Sequence, residues 1–143
     1  MPQRDYILRL IEQMGGVLAE LRRRILGRKA DPASVQDELM SVSGRAGFDL
    51  ELLRGFEGDT LRMLVAPTGE VEPARCWMMA EVLYLDGLEA EVEGRTDDAR
   101  ESLKKARTLY TLIAPGGGML VGFPEAGERF EDIDARLGAL RRG

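Results

Sequence analysis

The sequence predicts an all-α protein, an irregular bundle of about five to seven helices in a single domain. Apolar residues recur at spacings of three and four along several segments, which is typical of amphipathic helices. The alternation of apolar and polar residues that a half-buried strand requires is absent. A chain of 143 residues with 44% apolar and 31% charged residues is long and apolar enough to bury one core.

Residues 1–30 are predicted to form one long amphipathic helix. Its apolar positions follow a heptad-like seam: Ile7, Ile11, Met14, Leu18, Leu21 and Ile25. Such a seam either pairs two copies of the chain or packs inside its own domain, and the second reading is the commoner one. The glycine pair Gly15-Gly16 costs about 1 kcal/mol per residue in a helix, so it predicts a kink or a close backbone neighbour.

Residues 31–72 are predicted to form short helices. Asp31 and Pro32 are typical of an N-cap followed by proline at the first helical position. Asp49 and the pair Gly58-Asp59 indicate the starts of two further helices, and Pro67 lies in the loop that follows them.

Residues 73–112 are predicted to form a helical hairpin. Gly94 ends its first helix, and Thr96 is predicted to cap the second. Residues 113–124, which include Gly116–Gly118, are rich in glycine and proline and are predicted to form a loop. Residues 125–143 are predicted to form a final amphipathic helix.

The hairpin resembles a single tetratricopeptide repeat over about residues 80–110. The matching positions are Leu83, Gly87, Ala90, Gly94, Ala99, Leu103 and Ala106, whose small residues allow the two helices to pack closely. The match departs from the pattern at Asp86, where an apolar residue is usual, and near Thr111, where a proline is missing. One repeat cannot bury its own surface, so the other helices must cover it.

The resemblance implies a peptide-binding face on the first helix of the hairpin. In this sequence that face consists of Glu81, Tyr84, Leu88, Glu91 and Val92. The subfamily that clamps a terminal carboxylate has Lys, Asn and Arg at these places, so that role is excluded. The opening segment Asp5 to Gln13, taken with the hairpin, also looks like a bacterial family without an assigned function, which implies a bacterial source.

The composition excludes several kinds of chemistry. There is no histidine and one cysteine, Cys76, so no intrachain disulfide, no histidine-based catalytic triad and no histidine-ligated metal can form. We therefore expect a protein that is not an enzyme and that needs no cofactor and no metal. Cys76 itself is a weak candidate for a reactive thiol, because it lies in the first turn of a predicted helix.

The distribution of charge argues against nucleic acid as a partner. Residues 1–30 carry seven basic and three acidic residues, while the rest carry thirteen and twenty-two. The basic cluster at Arg22–Arg24, Arg28 and Lys29 is interpreted as a solvated helix end, and the acidic set Asp86, Glu89 and Glu93 as a solvated face. No apolar run approaches the roughly 20 residues that cross a membrane, and we expect a cytoplasmic protein.

These observations lead to one functional hypothesis and one alternative. The first is a protein–protein interaction module, an adaptor or regulatory subunit, that uses the hairpin face around Tyr84 and Leu88 to hold an unknown protein partner. The alternative is a self-associating structural protein, a homodimer paired through the seam of the first helix.

Overall fold

The computed structural model describes residues 2–113 and 125–142, and at residues 2–8, 10, 125–127 and 142 it describes the backbone. These ranges contain helices and no strand: α1 (Pro2–Leu26), α2 (Pro32–Arg45), α3 (Leu50–Gly55), α4 (Gly58–Val65), α5 (Pro73–Val92), α6 (Thr96–Ile113) and α7 (Glu125–Arg142). The predicted all-α bundle is confirmed. The predicted loop around Gly116–Gly118 lies outside the described residues.

The starts of the short helices follow the predicted capping residues. The Asp31 carboxylate accepts a hydrogen bond from the Ser34 N–H at 3.2 Å, with proline at the first position of α2. Asp49 accepts in the same way from the Glu51 N–H at 2.9 Å. Thr96 is not the N-cap of α6, because the Ala99 N–H donates to the carbonyl of Arg95, which holds that position.

Three of the described helices end in backbone hydrogen bonds that require a left-handed residue, and after α2 that residue is Gly47, at φ +86°. Gly94, at φ +80°, follows α5, and the Arg95 N–H returns to the Ala90 carbonyl at 2.8 Å. After α1 the left-handed residue is Arg28, at φ 56°, and not the neighbouring Gly27. The Lys29 N–H then reaches the Arg24 carbonyl at 3.0 Å, which closes the end of α1.

Helix α5 is the centre of the bundle. Every residue from Cys76 to Ala90 is buried, because α1, α2, α4 and α6 all pack against it. The contact with α6 is the most extensive, and Gly87 makes it close: a Cβ added there would lie 2.8 Å from Leu103 Cγ. The close packing predicted for this glycine is thus observed.

The glycine pair of α1 has a different setting from the predicted one. No described atom lies within 4 Å of a Cβ built at Gly15 or Gly16, so no backbone approaches them. α1 runs through both positions as one helix. The two glycines therefore weaken α1 by their helix propensity, without a packing contact that requires them.

Candidate interaction surface

The predicted peptide-binding face of the hairpin is mostly interior. Glu81, Tyr84 and Leu88 are buried, with exposed fractions of 3%, 0% and 0%, while Glu91 and Val92 are half-buried. The prediction that Tyr84 and Leu88 are exposed is therefore wrong. The physical reason is that a single hairpin must hide this face, and here α1 and α7 contribute side chains that cover it.

Tyr84 is the point where α1, α5 and α7 meet. Its hydroxyl accepts a hydrogen bond from Arg22 Nε of α1 at 3.1 Å and donates one to the Asp132 carboxylate of α7. The guanidinium carbon of Arg22, on α1, lies 5.8 Å from the centroid of the Tyr84 ring. That of Arg129, on α7, lies 5.1 Å from it, so both cations interact with the ring. Burial and the Asp132 carboxylate raise the pKa of Tyr84, so the proton stays on the phenol.

Glu81 is held by side chains of α6 and α7. It accepts hydrogen bonds from the Tyr110 hydroxyl at 2.5 Å and from Arg129 Nε at 3.0 Å. Burial and Glu81 together raise the pKa of Tyr110 well above its ordinary value. Although burial lowers the pKa of Arg129, the Glu81 carboxylate raises that pKa by more, so the guanidinium keeps its charge.

Glu91 completes the contact between α5 and α7. It forms an ion pair with Arg136, which also donates to Asp132 at 2.8 Å. Burial raises the pKa of Asp132, but the hydrogen bonds from Tyr84 and Arg136 outweigh it and lower that pKa. Three of the five predicted binding residues, Glu81, Tyr84 and Glu91, thus belong to a polar network that fixes α7 to the hairpin.

The predicted dimer seam is also interior. Met14, Leu18, Leu21 and Ile25 are at most 2% exposed and belong to the main core, and Ile11 packs against its edge. The side chain of Ile7 lies outside the described residues. The seam packs within its own domain, so it does not offer the surface that the homodimer hypothesis requires.

The interpretation of the acidic set as a solvated face is wrong for Asp86 and Glu89, whereas Glu93, the residue after α5, is exposed. Asp86 and Glu89 are 4% and 2% exposed. Asp86 accepts hydrogen bonds from Arg54 Nη2 at 2.7 Å and from Ser102 Oγ at 2.9 Å, so its charge is neutralised inside the bundle. Within the described residues no group of three His, Cys, Asp or Glu side chains is placed to hold a metal ion.

Glu89 and Glu93 form a coupled pair one turn apart. Burial first, and then the hydrogen bond with Glu93, raise the pKa of Glu89 from 4.5 to about 7. Burial and a neighbouring carboxylate both favour the protonated form of a carboxyl group. We therefore expect stability to depend on pH up to the pKa of Glu89.

Cys76 has the environment of a structural thiol. It is fully buried, and its Sγ donates to the Leu109 carbonyl at 3.1 Å. Burial raises the pKa of Cys76 to about 12, so the thiolate needed for a nucleophile is not formed near neutral pH.

Two of the five basic side chains at the end of α1 are in ion pairs. Arg23 pairs with Glu20 and Arg24 with Glu38, and Arg22 bonds Tyr84. These contacts agree with the interpretation of the cluster as a helix end that pairs with the acidic remainder.

A groove between α6 and α7 is the surface feature with the most distinctive charge. We call it the basic groove; it has a volume of about 430 Å³ and is lined by Arg100, Lys104, Arg107, Asp134, Leu137 and Arg141. Arg100, Lys104 and Arg107 belong to α6. Their spacing of four and three residues was a usable signal, whereas the position of Arg141 opposite them depends on the tertiary fold.

A second cleft, of about 560 Å³, lies over Asp86 between α2, α3 and α6. Its cations are already engaged: Arg54 bonds Asp86, and Arg95 pairs with Glu93 and Asp98. The Lys105 ammonium donates to the Arg54 carbonyl. This cleft therefore offers little unpaired charge to a ligand.

The fold and these surfaces define a helical bundle built around a buried hairpin. Comparison of the chain with protein-family models, curated proteins and solved structures gave no match. None of the described helices is both long enough and apolar enough to cross a membrane.

Proposed function

We propose that the protein is a protein-interaction module, an adaptor or regulatory subunit, that docks its partner in the basic groove between α6 and α7. The observation that carries this proposal is the charge of the groove. Four cationic side chains and one carboxylate line it, on a chain whose net charge is −5. A local concentration of charge opposite in sign to the rest of the protein is a feature that partner recognition uses.

Two of the four cations are available to a partner. Arg107 pairs with Asp134 at 2.7 Å, and Arg100 pairs with Asp97 at 2.9 Å. Among the described carboxylates none is within ion-pair distance of Lys104 or Arg141. The hairpin face first expected to bind a partner is closed by α1 and α7, whereas Lys104 and Arg141 are exposed on the outer surface of α6 and α7.

The test is affinity capture from the source organism with two charge-matched variants. The double variant Lys104→Glu and Arg141→Glu reverses the available groove cations. Arg45→Glu with Arg62→Glu makes the same change in net charge at exposed arginines of α2 and α4. We expect one protein to be retained by the unmodified chain and by the second variant, and lost with the first.

Equal capture by all three forms, or no specific capture by the unmodified chain, would overturn the proposal. The alternative of a homodimer paired through the first helix is not favoured by any observation, because its seam is buried. Sedimentation of the unmodified chain at high concentration measures self-association directly, and a dimer disrupted by the groove variant would show that the partner is a second copy.

A further inference from the structure

We infer that the basic groove binds a short acidic segment of its partner, one that carries an apolar residue beside its carboxylates. The inference rests on the proposed function and names the chemistry of the docked segment. It is carried by the arrangement of charge and apolar surface along the groove.

The two walls of the groove come from single faces of their helices. On α6, Arg100, Lys104 and Arg107 are spaced by four and three residues, so they share one face over roughly 10 Å. On α7, Asp134, Leu137 and Arg141 are spaced by three and four residues and share one face as well. The α6 wall thus carries cations along its whole length. The α7 wall carries in turn a carboxylate, an apolar side chain and a cation.

Two contacts between the walls set their relative direction. Arg107 Nε bonds Asp134 at 2.7 Å, while Arg100 Nη2 reaches the Leu140 carbonyl at 3.4 Å. The helices are therefore antiparallel, with the Arg107 end of the groove neutralised by Asp134. Unpaired positive charge lies away from that end: Lys104 is one turn along α6, at the middle of the groove, and Arg141 is at the opposite end, near Arg100.

Leu137 lies in the groove between these two ends. It is half-buried and packs against the core, so its outer part offers apolar surface next to cations. A segment that fits must therefore place one carboxylate against Lys104 at the middle of the groove and another against Arg141 at its end, with an apolar side chain on Leu137. Apolar contact supplies affinity, and the charges supply orientation and selectivity.

A peptide fits this groove better than a nucleic acid. The lining residues include no aromatic side chain on which a base can stack. A long polyanion would also be repelled by the rest of the chain, because the whole chain has a net charge of −5, whereas a short acidic segment meets mainly the local field.

The experiment is an NMR titration of the full chain at low salt with the pentapeptide Glu-Glu-Leu-Glu-Glu. Controls are Gln-Gln-Leu-Gln-Gln and an oligothymidylate of equal charge. We expect amide shifts confined to α6 and α7 with the acidic peptide, and none with the glutamine peptide. Lys104→Glu with Arg141→Glu should weaken binding by about tenfold or more, and Arg45→Glu with Arg62→Glu should not.

Circular dichroism and thermal unfolding show whether each variant remains folded, and both pairs lie on exposed or groove positions outside the core. Shifts elsewhere on the chain, equal binding of the glutamine peptide, or tighter binding of the oligothymidylate would overturn the inference. If capture of a partner depends on the groove while the acidic peptide does not bind, the proposed function stands and the inference about its ligand is wrong.

Discussion

Replacement of Tyr84 by Phe tests whether one hydroxyl joins α1 and α7 to the buried hairpin. The substitution keeps the ring, and therefore its contacts with Arg22 and Arg129. It removes the acceptor for Arg22 Nε and the donor to Asp132. Because the ring stays in place, the change in stability reports the hydroxyl alone.

The expected loss follows from what remains paired. A hydrogen bond to a charged group contributes about 1.5–3 kcal/mol. Asp132 keeps its bond from Arg136 at 2.8 Å, and Arg22 is half-exposed, so water can replace its lost acceptor. We therefore expect a loss of about 2 kcal/mol, toward the lower part of that range. For a chain of this size that lowers Tm by roughly 6–8 °C.

Urea unfolding measures the free energy, and hydrogen exchange identifies the region. Tyr84→Phe should speed exchange of the amides of α7 and of the last turns of α1 before those of α2 to α4. Thr111→Val serves as the control, since it removes an exposed local hydrogen bond to the Arg107 carbonyl. A Tyr84→Phe variant within about 0.5 kcal/mol of the unmodified protein, or unchanged exchange in α7, would refute this reasoning.

Three further predictions concern residues on or inside the bundle. Gly16→Ala should raise the free energy of unfolding, measured with urea, by about 1 kcal/mol, because its Cβ meets open space at an exposed helix position. A lower free energy of unfolding would contradict the open space described around Gly16. Gly87→Ala should lower the free energy of unfolding by about 1–3 kcal/mol, because its Cβ would lie 2.8 Å from Leu103 Cγ; a neutral effect would mean that α5 and α6 separate easily. The folded state binds the Glu89 proton more tightly than the unfolded chain does, so stability falls as pH rises from about 4.5 to about 7, by at most about 1.4 kcal/mol per pH unit. Glu89→Gln should remove this slope in urea unfolding and be the more stable form at pH 8, and an unchanged slope would assign the pH dependence to other groups.

The helices were predictable because their signals are local. Asp31 and Asp49 cap the helices that follow them, and Gly94 ends α5, as residues with these short-range hydrogen-bonding and backbone preferences should. The apolar seam of α1 was also correctly identified as a core face. Three local details differ from expectation. Thr96 does not cap α6, and Gly15-Gly16 has no close backbone neighbour. The left-handed residue after α1 is Arg28, in a conformation that glycine adopts more easily.

The interaction surface was not predictable in the same way. Glu81 and Asp86 were expected to be solvated because carboxylates usually are, yet their cationic partners, Arg129 and Arg54, come from helices distant in sequence. Tyr84 was placed on an open face because nothing local indicates that α1 and α7 meet there. A periodic pattern identifies the apolar side of a helix, but it does not show which helices enclose a polar side as well.

The enclosure of α5 also constrains how the chain folds during synthesis. Glu81 leaves the ribosome well before its partner Arg129, which follows it by 48 residues. Until α7 has been made, the carboxylate of Glu81 has the Tyr110 hydroxyl as a partner but not its counter-ion, and burying it in that state is costly. We therefore expect the nascent hairpin to remain loosely packed and vulnerable to proteolysis until the last helix docks, so that α7 acts as the closing step of folding.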